Sequence, residues 1–301
     1  MKKEKILTGV LGLLTVLLMV TGIPAAAAEG REVRCYQAAQ DPGPLGEEPI
    51  NILLIGQDQR PGEPGKRSDS LILCTLLPGE KKLVLTSVLR DLYVKIPGYG
   101  YERINAAYAI GGVPMLDKTL EENFGISIDG NVEVDFVQFS GIVDQLGGVT
   151  LELREDEARE INRLVPDRQA ASGVQTLDGR QALVYARIRR LDADSDFSRT
   201  QRQRKLLTAL TDQYRDMDFP TMVKLTGTIL PAVTTDLNGF EILTYGRLFL
   251  PMLKDMKIES HRIPEAGTCR DETIRGMQVL VPDLPAIRKQ LGEILKPGQA
   301  S

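Results

Sequence analysis

Acids and arginines cluster at three short intervals of this chain: Asp58 and Arg60 in GQDQR, Arg67 and Asp69 in RSDS, Arg90 and Asp91 in SVLRD. A fourth group, Arg187, Arg189, Arg199 and Gln203, falls within RIRRLDADSDFSRTQRQRK. Two neighbouring carboxylates repel unless a cation lies between them. A metal ion suits that role. Arginines offer paired N–H donors that match the edge of a phosphate. The chemistry implied is a metal ion acting with a polyanion. Other chemistries have little to work with. There is one histidine, His261, and there are three cysteines without a CxxC, too few for a zinc site or a Ser-His triad. His261 reads as a surface or strand residue.

Three apolar runs, 50–55, 71–77 and 83–88, must position the first three clusters. Each is rich in Ile, Leu and Val and is bounded by Gly, Pro or charge, as strands are. Pro78-Gly79-Glu80-Lys81-Lys82 reads as the hairpin loop between the second and third runs. If the first run also pairs antiparallel with the second, all three clusters meet on one rim.

The fourth group sits on a helix starting near Ser198, whose apolar stripe is Leu206, Leu207, Leu210 and Tyr214. Followed backwards by the helical step, that stripe reaches Gln203 and then Arg199. Arg199 therefore points inward and should meet an acid such as Asp196 or a bound anion. Arg202, Arg204 and Lys205 fall away from the stripe and fit a solvated face. If 187–189 is extended, Arg187 and Arg189 share a side.

Elsewhere strands and helices alternate, which points to an α/β class. Helices are read at 105–110, from Pro114 to before Gly125, at 139–146, and from Asp178 as cap to Tyr185. Strands are read at 132–137 and 149–153. A charged segment, 154–172, reads as a surface helix with a loop. The C-terminal third adds helices at 238–252 and 283–295 and strands at 257–263 and 277–281, with core and surface but no evident chemistry.

The chain has 301 residues, 42% of them hydrophobic, enough for a sizeable core. A net charge of −4 confines anion binding to local patches such as 187–205, where seven Lys or Arg face three Asp. Aromatic residues make up 5% of the chain, too few for the stacking surfaces of a nucleic-acid binder. At the N-terminus, MKKEK precedes an apolar run at 6–23, about 18 residues long. This charge asymmetry places the body outside the membrane. The run fits a single-pass anchor, while the alanine tract at 25–28 also fits a signal-peptidase site. Residues 29–48 read as a linker, leaving 49–301 as the extracytoplasmic body. Cys74 reads as a buried strand residue, so Cys35 and Cys269 form the only sensible disulfide pair.

The linked motifs GQDQR, RSDS, SVLRD, RINAAYAIGG, LGGV, LDGRQALVYARIR and DFSRTQRQRKLL, in this order from Asn51 to Leu210, resemble the LytR–CpsA–Psr family of cell-wall glycopolymer ligases. The resemblance implies a central mixed, largely antiparallel sheet flanked by helices, behind an N-terminal membrane anchor. It implies transfer of a glycopolymer, such as teichoic acid or capsule, from a polyprenyl-pyrophosphate carrier to peptidoglycan, forming a phosphodiester. By resemblance Asp58 and Asp69 hold Mg2+. Arg60, Arg90, Arg187, Arg189, Arg199 and Gln203 grip the pyrophosphate, with Arg90, Arg199 and Asp69 catalytic. The helices at 114–124 and 139–146 are candidates for lining a lipid channel. The sequence departs from the family pattern at Leu89, where Pro is frequent, at Ser198, where Gly is frequent, and at Gln57 and Gln59 around Asp58. None of these removes a charged group. The same acids and arginines would also serve a pyrophosphatase with water as acceptor, or a lipid-phosphate binder that regulates envelope assembly without turnover.

Overall fold

The computed structural model describes residues 48–58, 67–192, 195–215 and 218–295. The apolar run at 6–23, the linker, Cys35 and Arg60 lie outside them. Among the described residues, no helix is long and apolar enough to cross a membrane.

The three Ile/Leu/Val runs form β1 (Ile50–Asp58), β2 (Arg67–Leu77) and β3 (Lys82–Val88), paired antiparallel in sequence. The β2–β3 loop is a 3-10 turn over Pro78–Glu80, closed by Lys81 in the left-handed region. Beyond it the turn-rich segment holds a hairpin that alternation does not reveal, β4 (Tyr93–Ile96) with β5 (Gly100–Arg103). α1 (Asn105–Phe124) is broken at Gly111 and Gly112, the latter at φ 63, so the segments expected on either side are both present.

β6 (Gly130–Asp135) leads into α2 (Phe136–Gln145), which begins three residues before the expected 139. Asp135 and Gln138 form a reciprocal capping box, a DxxQ signal that overrides the strand-like composition of Phe136 and Val137. β7 (Val149–Leu153), α3 (Glu155–Leu164) and β8 (Gly173–Leu177) follow. α4 (Gly179–Arg187) is capped by Asp178 as anticipated. Next come α5 (Ser195–Asp212), α6 (Phe219–Ile229), β9 (Thr234–Thr235) and α7 (Gly239–Met252). β10 (Lys257–Ile263), β11 (Cys269–Ile274), β12 (Met277–Pro282) and α8 (Leu284–Leu295) complete the described residues.

The main sheet runs β10-β3-β2-β1-β6-β9. β3/β10 and β1/β6 are parallel and the other three pairings antiparallel, so the sheet is mixed and largely antiparallel, with helices on both faces. Strand alternation sorts the apolar residues. Ile52, Ile72, Leu83 and Leu85 meet Leu206 and Leu210 of α5 on one face. Leu53, Ile55, Leu71 and Leu73 meet Leu116, Leu120 and Phe124 of α1 on the other.

α5 is covered on more sides than its apolar stripe indicates, and this corrects the solvated-face reading of two arginines. Arg202 is 5% exposed and Arg204 is 6% exposed. Arg202 Nε donates to Glu157 Oε1 at 2.8 Å, Nη1 donates to Ile188 O at 3.2 Å, and Nη2 meets Asp192. Glu157, at 4% exposed, sits equally deep. Removing one partner of a buried pair strands the other. Arg202→Ala should therefore cost about 3 kcal/mol of stability, readable as a lower denaturant midpoint at unchanged slope.

Candidate active site

Alternation along β2 directs Ser70 and Ile72 toward α5, and Leu71 and Leu73 toward α1. Continued regularly, it would send Asp69 into the α1 core with Leu71. The register prevents this. Gly56 faces Ser70 while Gln57 faces Ser68, which makes Asp69 the extra residue of a β-bulge. The bulge turns its carboxylate into a polar cavity on the α5 side. Gly56 is needed at this crossing, because a Cβ there would lie 2.9 Å from Ser70 Cβ.

Arg90, just past β3, reaches the same place, its Nη1 donating to Asp69 Oδ1 at 2.8 Å. Its Nε lies 3.3 Å from Asp196 Oδ2 and 3.4 Å from Asp91 Oδ2. Burial works against the Arg90 charge, yet Asp196, Asp69 and Asp91 together outweigh it and hold the guanidinium above its ordinary value.

Arg199 is 3% exposed and points inward, as its stripe requires. Its Nη2 donates to Asp69 O at 3.2 Å and its Nη1 lies 3.5 Å from Asp196 Oδ1, while its buried Nε has no hydrogen-bond partner among the described residues. Gln203, one turn on, accepts from Ser70 Oγ at 2.9 Å and donates to Ala186 O at 3.3 Å. After α4 the backbone is extended at Ile188, whose side chain is buried. Arg187 and Arg189 therefore share the cavity side. Arg187 lies over the Phe136 ring, 4.3 Å from its centroid, and Arg189 Nε is 3.4 Å from Asp196 Oδ1.

Four arginines, Asp69, Gln203 and Phe136 thus line one polar cavity of about 700 Å³ including its open mouth. A second cavity, about 720 Å³ on the same measure, has Leu54, Ile72, Val134, Phe139 and Leu206 among its walls. The two share Phe136, Arg187 and Gln203. A cation-rich chamber therefore adjoins an apolar one, with Phe136, Arg187 and Gln203 at their common wall.

The profile of the LytR_cpsA_psr family matches residues 21–295. The chain belongs to this family. It is 38% identical over 180 residues to the polyisoprenyl-teichoic acid–peptidoglycan teichoic acid transferase TagT of Bacillus subtilis, covering 57% of this chain and 55% of the relative. It is 34% identical over 223 residues to the regulatory protein MsrR of Staphylococcus aureus, covering 73% of this chain and 63% of the relative. The chain thus spans less than two thirds of these two relatives' length. A solved structure of TagT with bound octaprenyl pyrophosphate lipid superposes with a TM-score of 0.63 at 29% identity, covering 83% of this chain and 91% of that one.

Of the LytR_cpsA_psr residues expected from sequence, the structure assembles Asp69, Arg90, Arg187, Arg189, Arg199 and Gln203 in one cavity. Asp58 ends β1 opposite Arg67 on the same rim. Arg60 lies outside the described residues. Asp196 was expected only as a local partner for Arg199; its carboxylate also contacts Arg90 and Arg189. Its signal was its place three residues before Arg199 on one helix. The lipid-channel expectation is half corrected. Phe139 of α2 lines the apolar cavity, but the 114–124 helix packs on the opposite face of the sheet. The departures are also accommodated. Leu89 N–H donates to Ile263 O at 3.0 Å, a bond that proline could not make, and Gln57 Nε2 donates to Tyr108 Oη at 2.7 Å.

Proposed function

We propose that this chain transfers a glycopolymer from a polyprenyl-pyrophosphate carrier to peptidoglycan, forming a phosphodiester. The observation that carries this reading is the wall shared by the arginine cavity and the apolar cavity. A ligand with a pyrophosphate head and a polyprenyl tail needs that junction. In this reading Arg187 and Gln203 stand where head becomes tail, and Arg199 and Arg90 hold the pyrophosphate oxygens. An acceptor hydroxyl attacks the glycan-side phosphorus. The phosphoanhydride bond breaks, and polyprenyl phosphate leaves as charge develops on it, taking up the proton that the acceptor hydroxyl gives up. Phosphoryl transfer of this kind rests on positioning and charge neutralisation, which fixed guanidinium groups supply without reorganising. Asp196 lies 3.3 Å from Arg90 Nε, 3.4 Å from Arg189 Nε and 3.5 Å from Arg199 Nη1, and its charge offsets theirs before the ligand arrives.

Magnesium fits the acids available. Among the described residues no three His, Cys, Asp or Glu side chains could hold a metal by themselves. Magnesium needs only one or two carboxylates when phosphate oxygens and waters complete its shell. Arg90 occupies Oδ1 of Asp69, which leaves Oδ2 for a second partner. Asp69 and Asp58 would hold the ion, which would supply added positive charge at the reacting phosphates.

The test incubates the full chain with a polyprenyl-pyrophosphate-linked glycan and magnesium, with and without peptidoglycan. Glycan bound covalently to peptidoglycan is the expected product. Phosphate release regardless of peptidoglycan would make it a hydrolase, and binding without turnover a regulator. Topology gives a second prediction. The positive charges before the run at 6–23 support an extracytoplasmic body. A reporter active only after export, fused at Ser301, should be active. Activity of a cytosolic reporter there instead would refute the proposal.

A further inference from the structure

Arg204 projects from the other flank of α5, into a cavity separate from the two described above. It is 6% exposed. Its Nε donates to Ser260 Oγ at 2.7 Å and its Nη1 to Ser87 Oγ at 2.6 Å. These are neutral hydroxyls, and among the described residues no carboxylate pairs with it. Burial, with Arg262 adding repulsion, pulls its pKa down to about 10. Arg202, two residues earlier on the same helix, is matched by Glu157 and Asp192. The fold thus compensates one buried guanidinium and leaves the next without an acid.

A second cation stands beside it. Arg262 of β10 is the register partner of Ser87 of β3, and its guanidinium lies over the Phe197 ring at 4.1 Å. Arg204, Arg262, His261 and Ser260 line a cavity of about 950 Å³ including its open mouth, with Glu265 as an exposed carboxylate in its wall. Through Ser198, Gln201 and Ser260 this cavity continues into a groove along α5 toward Lys205 and Thr208. A buried guanidinium without an acid is costly, and a planar fork of donors is suited to a carboxylate or phosphate oxygen pair.

We infer that this groove is the acceptor subsite, with Arg204 and Arg262 holding a stem-peptide carboxylate of the peptidoglycan strand. The inference rests on the transfer reading. In that reading the donor's pyrophosphate and lipid fill the two joined cavities on the catalytic flank of α5. An anion on the other flank then belongs to a second molecule, and the groove is lined along α5 from Phe197 to Thr208, as a linear strand requires.

The test is calorimetric binding to the full chain. One probe is a soluble peptidoglycan oligomer with free stem carboxylates, and the other is the same oligomer with those carboxylates methyl-esterified. The free acid should bind wild type about tenfold more tightly than the ester, as expected for a charge-assisted bidentate contact. Arg262 is partly exposed, so Arg262→Gln is the milder change, with its melting temperature measured alongside. It should weaken the acid about tenfold and leave the ester unchanged. Arg204→Gln should do the same, with its melting temperature measured alongside. Equal binding of acid and ester to wild type, or no binding of either, would overturn the inference. So would an Arg262→Gln effect confined to a phosphate-bearing glycopolymer fragment, which would assign the anion to the donor. Acid-selective binding without any transfer would sink the transfer reading and leave the groove a carboxylate site with no acceptor role. Transfer with binding indifferent to esterification would sink the subsite alone.

Discussion

Arg199→Lys is expected to lower turnover by roughly two to three orders of magnitude while leaving the melting temperature nearly unchanged. Charge is kept in this variant; the planar fork is lost. In the structure the fork is divided. Nη2 holds Asp69 O at 3.2 Å, Nη1 stands 3.5 Å from Asp196 Oδ1, and the buried Nε has no partner among the described residues. The long Asp196 contact is a weak anchor by geometry, since it exceeds the range of a charge-assisted hydrogen bond. Asp196 is moreover shared with Arg90 and Arg189. A group held this loosely by the protein, yet almost fully buried, has donors to spend on a ligand. If Arg199 served only to pin the start of α5, the lysine variant would melt earlier and each folded molecule would turn over normally. Measuring melting temperature and turnover on one preparation separates these outcomes, and a destabilised but fully active variant would remove Arg199 from the chemistry.

Periodicity made Arg199 legible, because Leu206 and Leu210 fix the inward side of α5 and the helical step carries it back to the arginine. That the strand ends at Asp58, Asp69 and Arg90 share one rim was legible for a similar reason: short apolar runs, one evident hairpin loop and a period of two. Other features were not, and each has a physical cause. The orientation of Asp69 depends on a bulge between Gly56 and Gln57, and such a register jump is set by the partner strand. A single apolar stripe puts Arg202 and Arg204 in solvent, whereas α5 is covered on several sides and both are buried along with Arg199. The 114–124 helix carries the leucines of a channel wall, but composition alone does not say which face of a sheet a helix covers. The β4–β5 hairpin is four residues per strand, with both exposed and buried positions too few to show alternation.

Asp69→Asn separates two roles that Asp69→Ala would merge. The carboxylate meets the Arg90 guanidinium at 2.8 Å, so truncation to alanine would both remove a metal ligand and release an arginine of the pyrophosphate site. Asparagine keeps the shape and an oxygen that can accept from Arg90 Nη1, and it gives up the negative charge. Under the proposed role, that charge balances magnesium together with Asp58, and a neutral amide is a poor ligand for a hard cation. Turnover of Asp69→Asn should therefore fall on the order of a hundredfold or more, since Lewis-acid stabilisation contributes several kcal/mol. Raising magnesium should recover part of the loss. Binding of the polyprenyl-pyrophosphate ligand measured without metal should be weakened little, because Arg90 stays in place. If Asp69 acts only by holding Arg90, the asparagine variant keeps near-normal turnover with an unchanged magnesium requirement, whereas alanine loses both ligand affinity and activity. The contrast between the two substitutions decides the assignment, because the β-bulge that presents residue 69 to the cavity depends on backbone register and survives either change.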